Sequence, residues 1–267
     1  MTYKNSIECL ADVGFYVINM DSATDRLRAI EAQFAQLGLK FIRVPAIKGT
    51  DVISDFSPEE KARFLTCHGR EIKPGELGCY LSHLAAMETF LQSNHQIAII
   101  LEDDAVLPLE QVDFKDVLSL NNRKMWDFIR LQSRRRSKFL HLADLNSTYI
   151  LGLNVTRSTG ATGYGVNRKA AESLLTSLKT IEVPFDHAFD RPHHFGIKYR
   201  HIFPNFINYS GAASTIETYK ANKLTGLRKL PTFLWRARSE TGRFLWSVKE
   251  YIEFVLHTRI AGSLRNN

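Results

Sequence analysis

Apolar positions recur along this chain in two different periods. Gly14-Phe15-Tyr16-Val17-Ile18-Asn19-Met20 is an apolar run of strand length, and Leu27, Ile30, Phe34 and Leu37 follow it at helical spacing. Ser22-Ala23-Thr24-Asp25 opens that helix and Gly38 is placed to end it. Leu39 to Val44 returns as a second strand, so the chain begins βαβ, the pattern of a parallel sheet with a right-handed crossover. Ser57-Pro58-Glu59-Glu60 starts a short helix, Thr66 to Pro74 reads as loop, and a longer helix runs from Gly75 to Ser93. That helix feeds Gln96 to Leu101, a run of successive apolar residues that suits a parallel strand covered on both faces. Further on, Asp113 to Leu120 suggests a short helix and Trp126 to Leu131 a strand. Thr159 to Asn167 is a Gly-rich strand, Arg168 to Leu175 a helix, and Lys198 to Phe203 another strand. Near the end, Glu240 to His257 sets Leu245, Val248, Ile252, Val255 and Leu256 at helical spacing, with Phe244, Trp246, Tyr251 and Phe254 alongside. The fold class expected is α/β with a helical appendage.

Composition narrows this picture. At 267 residues, 44% hydrophobic and 24% charged, the chain fits one large domain with or without an appendage. No apolar run approaches the roughly 20 residues that span a bilayer, and Met1 to Ser6 lacks a signal-peptide core, which points to a cytoplasmic chain. Cys9, Cys67 and Cys79 are odd in number and show no CxxC spacing, so reduced, mostly buried thiols are expected rather than a disulfide framework or zinc site. The net charge of +7 is concentrated at one end: from Lys220 onward ten Lys and Arg face Glu240, Glu250 and Glu253, while the first 219 residues are balanced. A compact neutral domain over 1–219 and a basic amphipathic tail over 220–267 are therefore expected. Such a tail suits a helix lying in an anionic membrane interface, and it equally suits a helix packed on the domain. In the first case, truncation after Thr218 leaves a soluble domain; in the second it unfolds the protein.

Candidate chemistry centres on Glu102-Asp103-Asp104, three carboxylates at the end of the Gln96 to Leu101 strand. Like charges side by side repel, and hard Mg²⁺ or Mn²⁺ between them would relieve the repulsion while leaving positions for substrate phosphates. In open α/β sheets ligands bind beyond the carboxyl ends of the strands, and Asn19, Asp21 and Arg26 fall at the corresponding end of the first strand. A solvated acidic turn and a surface Arg would explain these residues too. The small residues of Gly75-Glu76-Leu77-Gly78-Cys79 permit close approach of a ligand or of a neighbouring element, with Ser82 and His83 one to two turns further on. The glycines of Thr159 to Asn167 match no phosphate-binding fingerprint and are expected to clear space for a substrate. Arg134-Arg135-Arg136 reads as a solvated run or a contact to an anionic acceptor, and Asp186, His187, Asp190, His193 and His194 form a second cluster without a standard zinc pattern.

These motifs, in this order, resemble glycosyltransferase family 25, the family of bacterial lipooligosaccharide glycosyltransferases to which collagen galactosyltransferases are related. The resemblance runs over about residues 13 to 205 and rests on Val17-Ile18-Asn19-Met20 with Arg26, on Gly75 to His83, on Ile99 to Asp104, on Tyr164 with the helix at Ala170, and on Pro184-Phe185-Asp186. One departure lies at Gly160 to Tyr164, where the family usually has a Thr-His-Ala-Tyr type sequence; it bears on donor or acceptor identity. The resemblance implies a GT-A-like Rossmann-type mixed sheet flanked by helices, and an inverting transfer of galactose from UDP-galactose to a glycan hydroxyl, as in a lipooligosaccharide. Under it, Asp104 is assigned to Mn²⁺ or Mg²⁺, Glu102 to metal or ribose, and Asp103 to orienting its neighbours. Asn19, Asp21, Arg26 and Ser82 fall on the donor side, and Asp186 is the expected general base, with Asp190 and Glu76 behind it and His83 positioning donor or base. A metal-dependent phosphohydrolase and a nucleic-acid-binding protein using the tail are the alternatives, the latter without a recognised binding motif.

Overall fold

The computed structural model describes residues 12–108, 111–122, 124–135, 137–211 and 221–263. Cys9, Arg136, Thr218, Lys220 and Arg265 lie outside them. Strand β1 (Val13–Asn19) leads into helix α1 (Thr24–Gln36) and β2 (Ile42–Pro45). The second strand begins later than the sequence suggests because residues 37–39 close the helix: Gly38 has φ +62°, and the Leu39 amide donates to Phe34 O at 2.9 Å. One-turn α2 (Gly49–Val52) precedes α3 (Pro58–His68), whose Ser57 forms a capping box with Glu60. That helix continues into the expected loop and stops at Gly69, φ +90°. Then come α4 (Pro74–Gln92), β3 (Ile97–Glu102), β4 (Ala105–Val106), α5 (Gln111–Asn122) and β5 (Phe128–Arg130). Two strands without a counterpart in the sequence reading, β6 (Phe139–Asp144) and β7 (Ile150–Asn154), form a hairpin. The chain continues through β8 (Gly163–Asn167), α6 (Arg168–Ser177), α7 (Phe185–Ala188), β9 (Tyr199–Phe203), β10 (Asn208–Tyr209) and a long α8 (Leu230–Ser263).

Eight of these strands form one mixed sheet in the order β2-β1-β3-β8-β5-β9-β7-β6, and β10 pairs with β4 outside it. β1 lies parallel to both β2 and β3, as the βαβ start requires. β3 is covered on both faces as expected, yet its other neighbour β8 runs antiparallel, so the sheet is mixed. Side chains alternate between two cores. Tyr16, Ile18, Ala98 and Ile100 face the layer of α3, α4, α6 and α7, whereas Phe15, Val17, Ile99 and Leu101 face α1 and α5. This double covering fixes the carboxyl ends of β1 and β3 side by side.

The glycines of β8 clear space for the core and not for substrate. A Cβ at Gly163 would come within 2.9 Å of Ile207, and one at Gly165 within 2.9 Å of Ile129. Thr159 to Thr162 lie outside the strand, and Gly160 (φ +96°) is the residue of this stretch that turns into the cleft beside Ala161. Helix α8 begins ten residues before the expected start, because Pro231 sits in its first turn, where no intrahelical N–H is needed. It rests on α3, β6 and β7 and on the 3₁₀ turn at Pro192–His194. Among the described residues, no helix is long and apolar enough to cross a membrane.

Candidate active site

A cleft of about 630 Å³ opens where β1 and β3 end, walled by α4, the 46–50 loop, the 160–161 turn, α7 and Tyr209. Arg26, Glu76, Ser82, His83, Glu102, Asp103, Asp104 and Asp186 all line it, drawn from sequence positions up to 160 residues apart. Asn19, Asp21 and Asp190 do not.

The three consecutive acids have three different environments. Asp103 is buried and fully engaged, accepting from Asn19 Nδ2 and Arg26 Nη1, each at 2.7 Å. It orients the turn and ties β3 to β1. Asn19 in turn is held by Arg43 Nε at 3.0 Å, while the exposed Asp21 pairs with the same Arg43. Both residues therefore act behind the cleft wall and not in it. Glu102 accepts from Thr162 Oγ1 at 3.2 Å and lies 3.5 Å from His83 Nε2. Burial raises its carboxyl pKa, but His83, Arg134 and Thr162 outweigh that and hold it below the usual range. Asp104 is the least compensated member. Its Oδ1 is buried with no hydrogen-bond partner among the described residues, and Arg134 Nη2 is 3.8 Å from Oδ2. Burial and the neighbouring Glu102 push its pKa up to about 6 despite Arg26 and Arg134. An acid so placed keeps a buried oxygen without a hydrogen bond and a charge that Arg134 offsets only in part, which is the fit expected of a ligand for a hard divalent cation.

Helix α4 carries the rest of the wall. His83 is buried, stacked on Phe185 with ring centres 4.2 Å apart, and bonded through Nδ1 to Tyr164 Oη at 3.0 Å, which leaves Nε2 aimed at Glu102. Ser82 donates to Gly78 O at 2.6 Å and accepts from the Ile47 amide at 2.8 Å, so it fastens the 46–50 loop to the helix. The small residues serve the same closeness: a Cβ at Gly78 would stand 2.4 Å from Ile47 O. Cys79, expected from the sequence to be a reduced thiol, faces Glu102 at 3.8 Å. Its Sγ, His83 and the Glu102 carboxylate lie within 4.8 Å of one another. Burial and the surrounding Glu102 and Asp186 raise the thiol pKa well above normal, so it stands as a protonated donor beside Glu102.

Three carboxylates were candidates for proton abstraction, and their partners separate them. Glu76 accepts from Nη1 and Nη2 of Arg70 and caps α4 by accepting from the Lys73 amide at 3.0 Å. Asp190 is 1% exposed and accepts from the Ser158 amide at 2.9 Å, with Arg243 at 3.1 Å and Arg130 at 3.8 Å. Asp186 accepts the Gly160 amide on Oδ2 at 3.0 Å, with His187 Nε2 4.0 Å from Oδ1, and remains open to the cleft. Arg134 and Tyr209 also line the cleft, the guanidinium 5.1 Å over the ring. The sequence reading missed both, although the Arg134 run was noted; nothing local shows which arginine turns inward.

A mixed sheet with two covered faces and an acidic cleft at its strand ends is the arrangement of a GT-A-like α/β domain. The chain belongs to glycosyltransferase family 25: the profile described as Glycosyltransferase family 25 (LPS biosynthesis protein) matches residues 13–189. Similar proteins include a Glycosyltransferase 25 family member of Drosophila pseudoobscura pseudoobscura, 32% identical over 94 residues, and one of Anopheles gambiae, 33% identical over the same length. Procollagen galactosyltransferase 1-B of Xenopus laevis is 28% identical over 94 residues. These alignments cover 33% of this chain and 15% or 16% of each relative, so the chain matches only a small part of their length.

Proposed function

We propose that the domain transfers galactose from UDP-galactose, with inversion, to a sugar hydroxyl of a lipooligosaccharide or related glycan. The observation that carries this reading is that Asp104, an acid with a buried oxygen that accepts no hydrogen bond, and Asp186, an acid open to the cleft, line the same cavity while Glu76 and Asp190 are occupied. Asp104 and Glu102 would hold Mn²⁺ or Mg²⁺, which supplies charge neutralisation for a diphosphate leaving group. Arg26 and Asn19 keep Asp103 fixed so that its neighbours stay aimed, and His83 fixes Glu102. Asp186 takes the proton of the acceptor hydroxyl as the new oxygen–carbon bond forms and the sugar–phosphate bond breaks. Arg134 lends positive charge on the same wall. A lipid-linked acceptor at the cytoplasmic face of a membrane suits a domain with a basic C-terminal helix.

The test is a screen of UDP-sugars with Mn²⁺ and small glycan acceptors, read as released UDP and elongated product. UDP-galactose should give both, and Asp104→Asn or excess chelator should remove most of the activity while the unfolding temperature stays near that of the wild type. Full activity in excess chelator would sink the metal assignment, and sugar phosphate without elongated glycan would replace the transferase by a phosphohydrolase.

A further inference from the structure

Helix α8 is amphipathic the wrong way round for a surface helix. The residues it buries fully are polar: Thr232, Ser239, Arg243 and Ser247 are buried, Glu250 pairs with the buried Arg200 at 2.8 Å, and of its large apolar side chains Trp235 and Trp246 pack, half-buried, against the core. Its outward face holds Leu230, Phe233, Leu234, Phe244, Leu245, Ile252 and Leu256, each at least half exposed, with Leu227 91% exposed just ahead of it. A helix that only covers a core shows the opposite arrangement.

Its rotation is locked by specific contacts. Arg243 donates through Nε and Nη2 to Asp190 O at 3.1 and 2.5 Å, Ser247 Oγ to Asn154 O at 2.8 Å, and Thr232 Oγ1 to Thr66 O at 2.6 Å. Gly242 lets the helix approach His193, against which a Cβ would stand at 2.7 Å. Rolling the apolar face inward would carry Arg243 away from the buried Asp190 and break the Ser247 and Thr232 hydrogen bonds together with it. The apolar stripe is therefore held outward by the fold.

We infer that this outer face of α8 lies in the headgroup region of an anionic lipid bilayer. Charge selects this occupant over a second copy of the chain. Arg228, Lys229 and Arg238 are exposed around the stripe, Lys249 lies 3.7 Å from the exposed Glu253, and Glu240 and Glu250 are drawn to Arg243 and Arg200, so the positive charge is in excess on this face. Two such faces would bring like charges together; an anionic surface attracts them all. The stripe, which includes Phe233 on one side and Leu256 on the other, is also broader than the seam of a coiled coil. At 34 residues the helix is about 51 Å long and lies in the plane of the interface. The inference deepens the membrane-side acceptor reading but stands on α8 alone, so a wrong donor or acceptor leaves it intact.

The experiment is co-sedimentation of the full chain with vesicles of phosphatidylcholine carrying phosphatidylglycerol, beside vesicles of phosphatidylcholine alone. The protein should sediment with the anionic vesicles, less so as salt rises, and the double variant Phe244→Gln/Leu245→Gln should weaken binding by at least about 10-fold. Arg228→Gln/Lys229→Gln/Lys249→Gln should remove most of the preference for the anionic lipid. Unfolding temperature, unchanged in both variants because these positions are exposed, separates lost binding from lost fold. Absence of binding, or variants that bind like the wild type, would overturn the inference. So would a lipid-free dimer in sedimentation equilibrium that the Phe244→Gln/Leu245→Gln variant dissolves, since a second copy would then cover the face.

Discussion

Asp186, Glu76 and Asp190 have the same functional group and differ in what holds it, which is why their substitutions should fail in different ways. Asp186→Asn keeps an acceptor oxygen for the Gly160 amide but loses the basic oxygen, so transfer should slow at least about 100-fold while UDP-sugar binds with near-normal affinity by calorimetry. If donor affinity falls in step with rate, Asp186 belongs to the donor site. Glu76→Gln, in contrast, removes the ion pair with Arg70 and weakens the cap of α4, and urea unfolding should show a loss of about 1–2 kcal/mol. A rate loss without destabilisation would make Glu76 a reacting group again. At this scale Glu102, Asp103 and Asp104 were legible because an apolar run ending in three acids has an electrostatic cost that demands an explanation. Their division of labour was not legible, since it depends on Arg26, Asn19, His83 and Arg134 arriving from other elements. Cys79 was hidden for the same reason: a thiol looks inert until Glu102 is seen beside it.

Among the elements, α4 does the most to shape the site, and its small residues are the reason. Gly78→Ala gains up to about 1 kcal/mol of helix propensity yet places a Cβ 2.4 Å from Ile47 O and 2.7 Å from the Gly49 amide, backbone atoms that cannot turn aside. Overpacking of this kind costs about 1–3 kcal/mol, so the variant should melt at a lower temperature and bind donor less well, because the displaced 46–50 loop forms part of the cleft. An unchanged melting temperature would show that the loop yields freely. The sequence reading could see that close approach was intended but not whether to a ligand or to a chain segment, and Ser82 bonding Ile47 decides for the segment. The β6–β7 hairpin escaped notice because β6 is an edge strand with mostly exposed side chains and β7 carries Gly152 at its centre. There the glycine admits the neighbouring strand, a Cβ being 2.9 Å from Leu140 O.

Over the whole molecule, the concentration of charge beyond Lys220 was readable by counting, whereas the fastening of α8 through Arg243 to Asp190 required the three-dimensional neighbours of a buried acid. The same burial of polar groups makes the fold sensitive to acid through its histidines. Burial, with Arg70, His187, Arg236 and Arg157 adding to it, pushes His68 down to about 3; burial and His194 push His193 to about 4; His201, buried near Arg130 and Arg243, lies well below its ordinary range. In the unfolded chain each would titrate near 6.5. Above that pH both states hold neutral imidazoles and the groups leave stability unchanged. Below it the unfolded chain takes up protons that the fold refuses, so their contribution to stability is lost as pH falls from about 6.5 toward 4. Asp104, raised to about 6, and Asp190, raised by burial, act in the opposite sense, since the fold keeps their protons at a pH where the unfolded chain has released them. A single-site comparison isolates the histidine: His68→Gln should fall furthest behind the wild type's stability above pH 7 and draw steadily closer to it as pH falls below about 6.5 toward 4, with a slope of up to one proton. Urea unfolding of the two proteins across that range measures it, and parallel stability curves would mean that His68 is protonated in the folded chain as readily as in the unfolded one.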